Sequence, residues 1–275
     1  MPETSISTWS LHRGLGPIYR AAADGSGRLE PNGGFGAGEW PLLEVPAQLA
    51  ERGIQWMEIC HFHFPSVDAG YIAELRRALD FAGVQLFNVL IDGGDITHPE
   101  AAHREADLHW IRGWISVAAR CGAKNVRVIA GDAQPDPEGR AVRLSAAGLR
   151  QLSAYAQDRG VRVMTENWHA LTMCPRNLLA LLDRLEGEVG LCADFGNYKG
   201  PNKYQDLAAI MPRADSIHAK AHFPAEGRMD RDDFVRCLDL SREAGFSGPY
   251  TMIFDGPGDE WRSLGMIQEE VRPYL

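Results

Sequence analysis

The chain has 275 residues, 45% of them hydrophobic and 24% charged, and carries a formal net charge of −9. That is the balance of a globular protein with a full core, and its acidity weighs against nucleic acid as the main partner, because the phosphate backbone selects basic surfaces. No apolar run approaches the ~20 residues that span a bilayer, and the N-terminus lacks the basic-then-apolar order of a leader, so a membrane partner is not expected and the expected location is cytoplasmic.

Short apolar runs bounded by Gly, Pro, Asp or Asn predict eight strands, at 5–11, 54–61, 84–91, 125–130, 161–166, 189–194, 216–221 and 250–255. A long connection, 12–42, follows the first of them. Its Gly-rich stretch "GGFGAG" (33–38) lacks the spacing of a dinucleotide-binding turn and reads as a mobile tip, with the whole loop as a possible lid. Helical spacing predicts helices over 43–52, 71–82, 100–121, 145–159, 175–186, 204–210, 230–244 and 261–271. Residues 71–82, for example, place Ile72, Leu75, Leu79 and Ala82 on one face. Strand and helix alternating eight times in about 250 residues is the order of an α/β protein of the (β/α)8 TIM-barrel type, here a single domain over 1–275. Five cysteines without a C-x-x-C pair read as reduced core thiols.

A barrel of this kind keeps its chemistry at the C-terminal ends of its strands. Polar residues collect there. The second strand ends with Glu58, His61 and His63, and the third carries Asn88 with Asp92 and Asp95 beyond it. The fourth carries Arg127, the fifth ends in Glu166, Asn167 and His169, and the sixth in Asp194 and Asn197. His218, Lys220 and His222 alternate along the seventh, and Asp255 ends the eighth. Glu166, Asp194 and His218 lie at matching heights on three consecutive strands. Two carboxylates and an imidazole make a mixed oxygen and nitrogen site suited to one divalent ion, Mn²⁺, Mg²⁺, Co²⁺ or Zn²⁺. Read singly, each residue is equally a helix cap, a surface charge or a hydrogen-bonded structural histidine.

The segments "TENWH" (165–169), "CADFGNY" (192–198), "SIHAKAHF" (216–223) and "PYTMIFDGPGDEW" (249–261) together resemble the xylose isomerase-like barrel superfamily, the sugar phosphate isomerase/epimerase group. "WMEICHFHFP" (56–65) and "GAKNVRV" (122–128) are similar to it as well. The resemblance implies a divalent metal held by residues of strands five to eight. Carried over by position, these are Glu166, Asp194 and His218. Relatives have glutamate where this chain has Ile253, so the fourth ligand falls to Asp255 or is absent. The implied activity is proton abstraction next to a carbonyl of a sugar, keto-sugar or polyol: isomerisation, epimerisation, or a related dehydration or lyase reaction. Alternatives are a metal-free enzyme, a non-catalytic protein binding a sugar-like ligand, and an endonuclease IV-like repair enzyme on the same fold. The group also allows a homo-oligomer.

On this reading Glu166 is ligand and general base. Lys220 stabilises oxyanion charge, or is held in an ion pair with Asp194 or Asp255. His61 and His63 act on the substrate, or satisfy loop carbonyls. Trp9, Asn88, His169, Asn197 and His222 are the remaining substrate-binding candidates, and Trp9, Trp168 and Phe195 are either an apolar wall for a sugar ring or plain core. His98, His103 and His109 belong to a surface helix. Three carboxylates in "DGPGDE" oppose a phosphate dianion, so the expected substrate is unphosphorylated.

Overall fold

A computed structural model describes residues 3–136 and 139–275. Its strands are β1 (Thr4–Ser7), β2 (Pro17–Ala21), β3 (Leu29–Gly34), β4 (Trp56–Cys60), β5 (Gln85–Ile91), β6 (Asn125–Val128), β7 (Arg162–Glu166), β8 (Gly190–Asp194), β9 (Ser216–Lys220) and β10 (Tyr250–Ile253). Eight of them, β1 and β4 to β10, are parallel and close into a barrel in chain order, with β1 bonded to both β4 and β10. This is the (β/α)8 fold. The helices follow the predicted pattern, and their ends have local causes. Asp68 accepts the N–H of Tyr71 at the start of the helix Ala69–Ala82, and Gly83 ends it in the left-handed region at φ 66°. Asp259 caps Glu260–Val271 in the same way. The helix predicted from 145 begins a turn earlier, at Arg140.

Several strands end sooner than their apolar runs. In the first, the Ser7 hydroxyl accepts the N–H of Trp9 and turns the chain into a 3-10 turn, Thr8–Leu11. After β4 a second 3-10 turn, His61–His63, ends the alternation that would have put both histidines on one face.

The connection 12–42 is not an open loop. A helical turn, His12–Leu15, leads into the antiparallel hairpin β2–β3, and its tip is residues 22–28. The Gly-rich stretch is the hairpin's anchored return, not a mobile tip. The N–H groups of Phe35 and Glu39 donate to the carbonyls of Gly16 and Gly14, at 2.8 and 2.6 Å. A Cβ on Gly16, whose φ is 76°, would lie 2.2 Å from the Gly38 nitrogen, so the two backbones meet only because both residues are glycine. The Glu260 carboxylate fastens the base by accepting the N–H groups of Arg13 and Gly14, at 2.8 and 3.1 Å.

Candidate metal centre

Inside the barrel, alternate residues of each strand point to the axis. Met164 and Cys192 lie two residues before Glu166 and Asp194, and with Phe87 they form a small apolar cluster that Trp56 packs against. The carboxylates end these strands one pleat higher. Glu166, Asp194 and His218 each offer a ligand atom, and these atoms lie within 4.8 Å of one another. The Nδ1 of His218 is 3.5 Å from Glu166 Oε1 and 3.6 Å from Asp194 Oδ2, and all three residues are buried.

The surroundings aim these donors. Glu58, fully buried on β4, pairs with the other ring nitrogen of His218 at 2.8 Å. Nδ1 is thereby turned toward the carboxylates, the carboxylate–histidine arrangement that orients metal ligands. Asp194 Oδ1 accepts the N–H of Gly196 at 2.6 Å, which leaves Oδ2 for the centre. Asn197 donates to Glu166 Oε1 at 2.9 Å, and the Arg127 Nε lies 2.9 Å from Oε2. Two carboxylates and one oriented imidazole fit a hard or borderline divalent ion with open positions for substrate.

Electrostatics follow from burial and pairing. Burial alone would lower the pKa of His218, yet Glu58 and Glu166 hold it well above the usual histidine range, so a divalent ion bound at Nδ1 would take the place of a proton. Burial alone would raise Glu166, but the Arg127 guanidinium and His218 bring it below the usual carboxylate range, so it is ionised. Arg127 spans two carboxylates, Asp92 at 2.5 Å and Glu166 at 2.9 Å, with the Trp168 ring 5.0 Å away. Lys220 is 2.5 Å from Asp255, and the charges of Asp194 and Asp255 outweigh burial and raise its pKa. It is an ammonium at neutral pH and cannot serve as a base. Burial pushes the thiols of Cys60, Cys121 and Cys237 up to about 12, so none of these is a nucleophile.

These groups face a cavity of about 290 Å³ that Trp9, Phe62, Trp168, Asn197, Lys220, Ile253 and Asp255 also line. Ile253 takes the wall beside Lys220, its register partner. The other expected site residues divide. Asp255 lies beyond the end of β10 and is engaged by Lys220, outside the three-residue cluster. Asn197 reaches the site through Glu166. Asn88 sits deep in the barrel with its amide 3.4 Å from Glu58, away from the cavity. His169, at φ 65°, is on the rim, 3.0 Å from Asp132. His222 is exposed and lines a side pocket with Lys203 and Asp230 that shares Asn197, Lys220 and Asp255 with this cavity. Phe195 is fully buried against Phe234 and is core.

His61 and His63 do not line this cavity. The Nδ1 of His61 accepts the N–H of Asp92, and the rings of Trp110 and Trp114 stand edge-on to it at 5.3 and 5.2 Å. His63 lies under the first 3-10 turn, its Nδ1 2.8 Å from the Thr8 hydroxyl. Burial lowers His61 to about 4 and His63 to about 3. Both are therefore neutral in the folded protein, whereas in the unfolded chain they titrate near 6.5. As pH falls below 6.5 the unfolded state takes up protons that the folded state refuses. Stability is then lost at up to ~1.4 kcal/mol per pH unit for each histidine, down to about pH 4. Thermal melts across this window will show Tm falling with acid. In His63→Leu the slope contributed by this pair falls by about half, and an unchanged slope would show that His63 is not held neutral.

Arg127 and Glu58 are the members of the candidate site least visible in the sequence. Both stand among the polar strand residues, but only the closed barrel shows that one neutralises Glu166 and the other aims His218.

No curated protein sequence matches the chain. Solved structures similar to it include a xylose isomerase-like TIM barrel protein from Mycobacterium smegmatis in complex with magnesium, 16% identical with a TM-score of 0.68 over 99% of this chain and 96% of that one. A D-allulose 3-epimerase from Methylomonas sp. is 16% identical, with a TM-score of 0.69 over 100% of this chain and 98% of the other. A D-psicose 3-epimerase solved in the presence of D-fructose is 14% identical, with a TM-score of 0.65 over 99% and 96%. At these identities the likeness is one of fold. Residues 46–269, most of the chain, match the model of the xylose isomerase-like TIM barrel family, and the chain belongs to that family.

Proposed function

We propose that the protein is a divalent-metal-dependent sugar isomerase or epimerase, acting on an unphosphorylated keto-sugar or polyol by moving a proton next to a carbonyl. The observation that carries this reading is the convergence of Glu166, Asp194 and His218 on one side of a cavity with aromatic walls. Bound to these three residues, a divalent ion supplies Lewis acidity toward the substrate's oxygens. Glu166, ionised and held by Arg127 and Asn197, is the base that takes the proton. Lys220 donates from its ammonium to an oxygen that gains charge. Trp9 and Trp168 offer apolar ring faces to the sugar's C–H groups.

Ile253 shapes the outcome. The family resemblance puts a glutamate ligand at its position, and isoleucine can neither bind a cation nor move a proton. With Asp255 engaged by Lys220, Glu166 both removes and returns the proton. This favours a one-base isomerisation, or a dehydration, over two-base inversion. The same Ile253, with the Arg127 cation already on Glu166, favours as a second reading a protein that binds a sugar-like ligand without metal or turnover.

Plasma mass spectrometry of protein incubated with Mn²⁺ separates the two, with exchange of ketose C–H protons in D₂O followed by NMR, starting from D-fructose. The proposal expects about one ion per chain and metal-dependent exchange, both lost in Asp194→Asn. Neither metal nor exchange in the wild type would sink it in favour of the binder.

A further inference from the structure

A second cavity of about 720 Å³ opens beside the first. Trp9, Phe62 and Asp92 line both, so the two adjoin there. Its walls come from elements with no part in the metal cluster: β2 gives Tyr19, the segment after β3 gives Phe35, and the helix Ala101–Cys121 gives Trp110 and Trp114. Trp110 is 36% exposed, an unusual state for so large a ring, and it stands nearly perpendicular to Trp114. Trp9 is T-shaped to both Phe35 and Phe62, at 5.9 and 6.2 Å. Gly93 makes room for Trp110, since a Cβ there would come 2.9 Å from the indole.

We infer that this aromatic cleft holds the aglycone of a keto-glycoside, a ring with apolar faces joined through the anomeric carbon to a sugar whose ring ketone reacts at the metal centre. The inference rests on the proposed sugar chemistry of the first cavity and names its substrate class. Size supports it. About 290 Å³ lies at the lower edge of small-molecule sites, room for one monosaccharide, whereas the adjoining space is more than twice as large. A free monosaccharide leaves the cleft empty. Chemistry supports it too. The aromatic walls suit an apolar ring face, and Asp92, Asp107 and Arg20 at its edges suit hydroxyl groups. Binding energy gathered on a non-reacting ring can also be used to position the reacting one.

The test is titration calorimetry of the full chain in Mn²⁺ with D-fructose, methyl β-D-glucopyranoside and phenyl β-D-glucopyranoside. The expected result is phenyl glucoside binding at least about tenfold tighter than methyl glucoside. Trp110→Ala should remove most of that difference and leave the methyl glucoside affinity within about twofold. Tyr19→Ala, on the exposed hairpin and outside the core, should act in the same direction, so the result does not hang on one tryptophan. Equal affinities for the two glucosides, or variants that weaken both alike, would overturn the cleft assignment while D-fructose binding left the metal-site reading standing. Binding of none of the three sugars would overturn both.

Discussion

Replacing Glu166 by glutamine will lower kcat by about 10³-fold or more, the upper part of the range for a positioned general base. Glutamine keeps the shape and the contact from Asn197 but cannot accept a proton, and it is a weak ligand for a divalent ion. Arg127 retains Asp92, so the fold survives with a modest fall in Tm. The check is single-turnover exchange in D₂O beside a melt. A variant that kept more than a tenth of the wild-type rate would move the base elsewhere in the cavity. On the proposed function Glu166 is both base and ligand, so Asp194→Asn is the needed comparison. Equal losses in the two would assign the effect to the metal, and a larger loss in Glu166→Gln to the proton transfer.

Glu166, Asp194 and His218 were legible in the sequence because Glu166 and Asp194 end short buried strands and His218 lies in register with Asp194 on the next one. The barrel was legible for the same reason: its strands and helices differ sharply in period and in their Gly and Pro boundaries. The hairpin β2–β3 was not. Its residues are mostly exposed and alternate no apolar face, and what holds it is backbone approach between Gly16, Gly34 and Gly38, which leaves no hydrophobic signal. His61 and His63 do not share a face, because a 3-10 turn replaces strand alternation there, and His61 lines the neighbouring cleft instead. Asn88 was placed on the correct strand, but depth along the barrel axis, which depends on register around the ring, is not written in any one segment.

Arg127→Met will be the most destabilising single change in the site. It leaves Asp92 and Glu166 facing a buried space with no cation between them. Breaking such a pair costs about 3–5 kcal/mol. For a chain of this size that corresponds to a fall in Tm of roughly 10 °C. Arg127→Lys should recover only part of it, since one ammonium cannot match the guanidinium fork on two carboxylates. Scanning calorimetry decides the matter. A fall below about 2 °C for Arg127→Met would mean that water reaches the two acids and the ion pair is not what balances them.

The seam between β1 and β10 ties Thr4 to Tyr250 and Ile6 to Met252, and Glu58 meets His218 across 160 positions. During synthesis, β1 therefore waits for almost the whole polypeptide before its second neighbour exists. At about 5–20 residues per second that delay is on the order of tens of seconds. Throughout it the nascent sheet presents an open edge to other chains, and Glu58 stands in the interior without its imidazole. Yield in the cell should accordingly depend on how well chaperones shield that edge before the last strand leaves the ribosome, more than on the stability of the finished barrel.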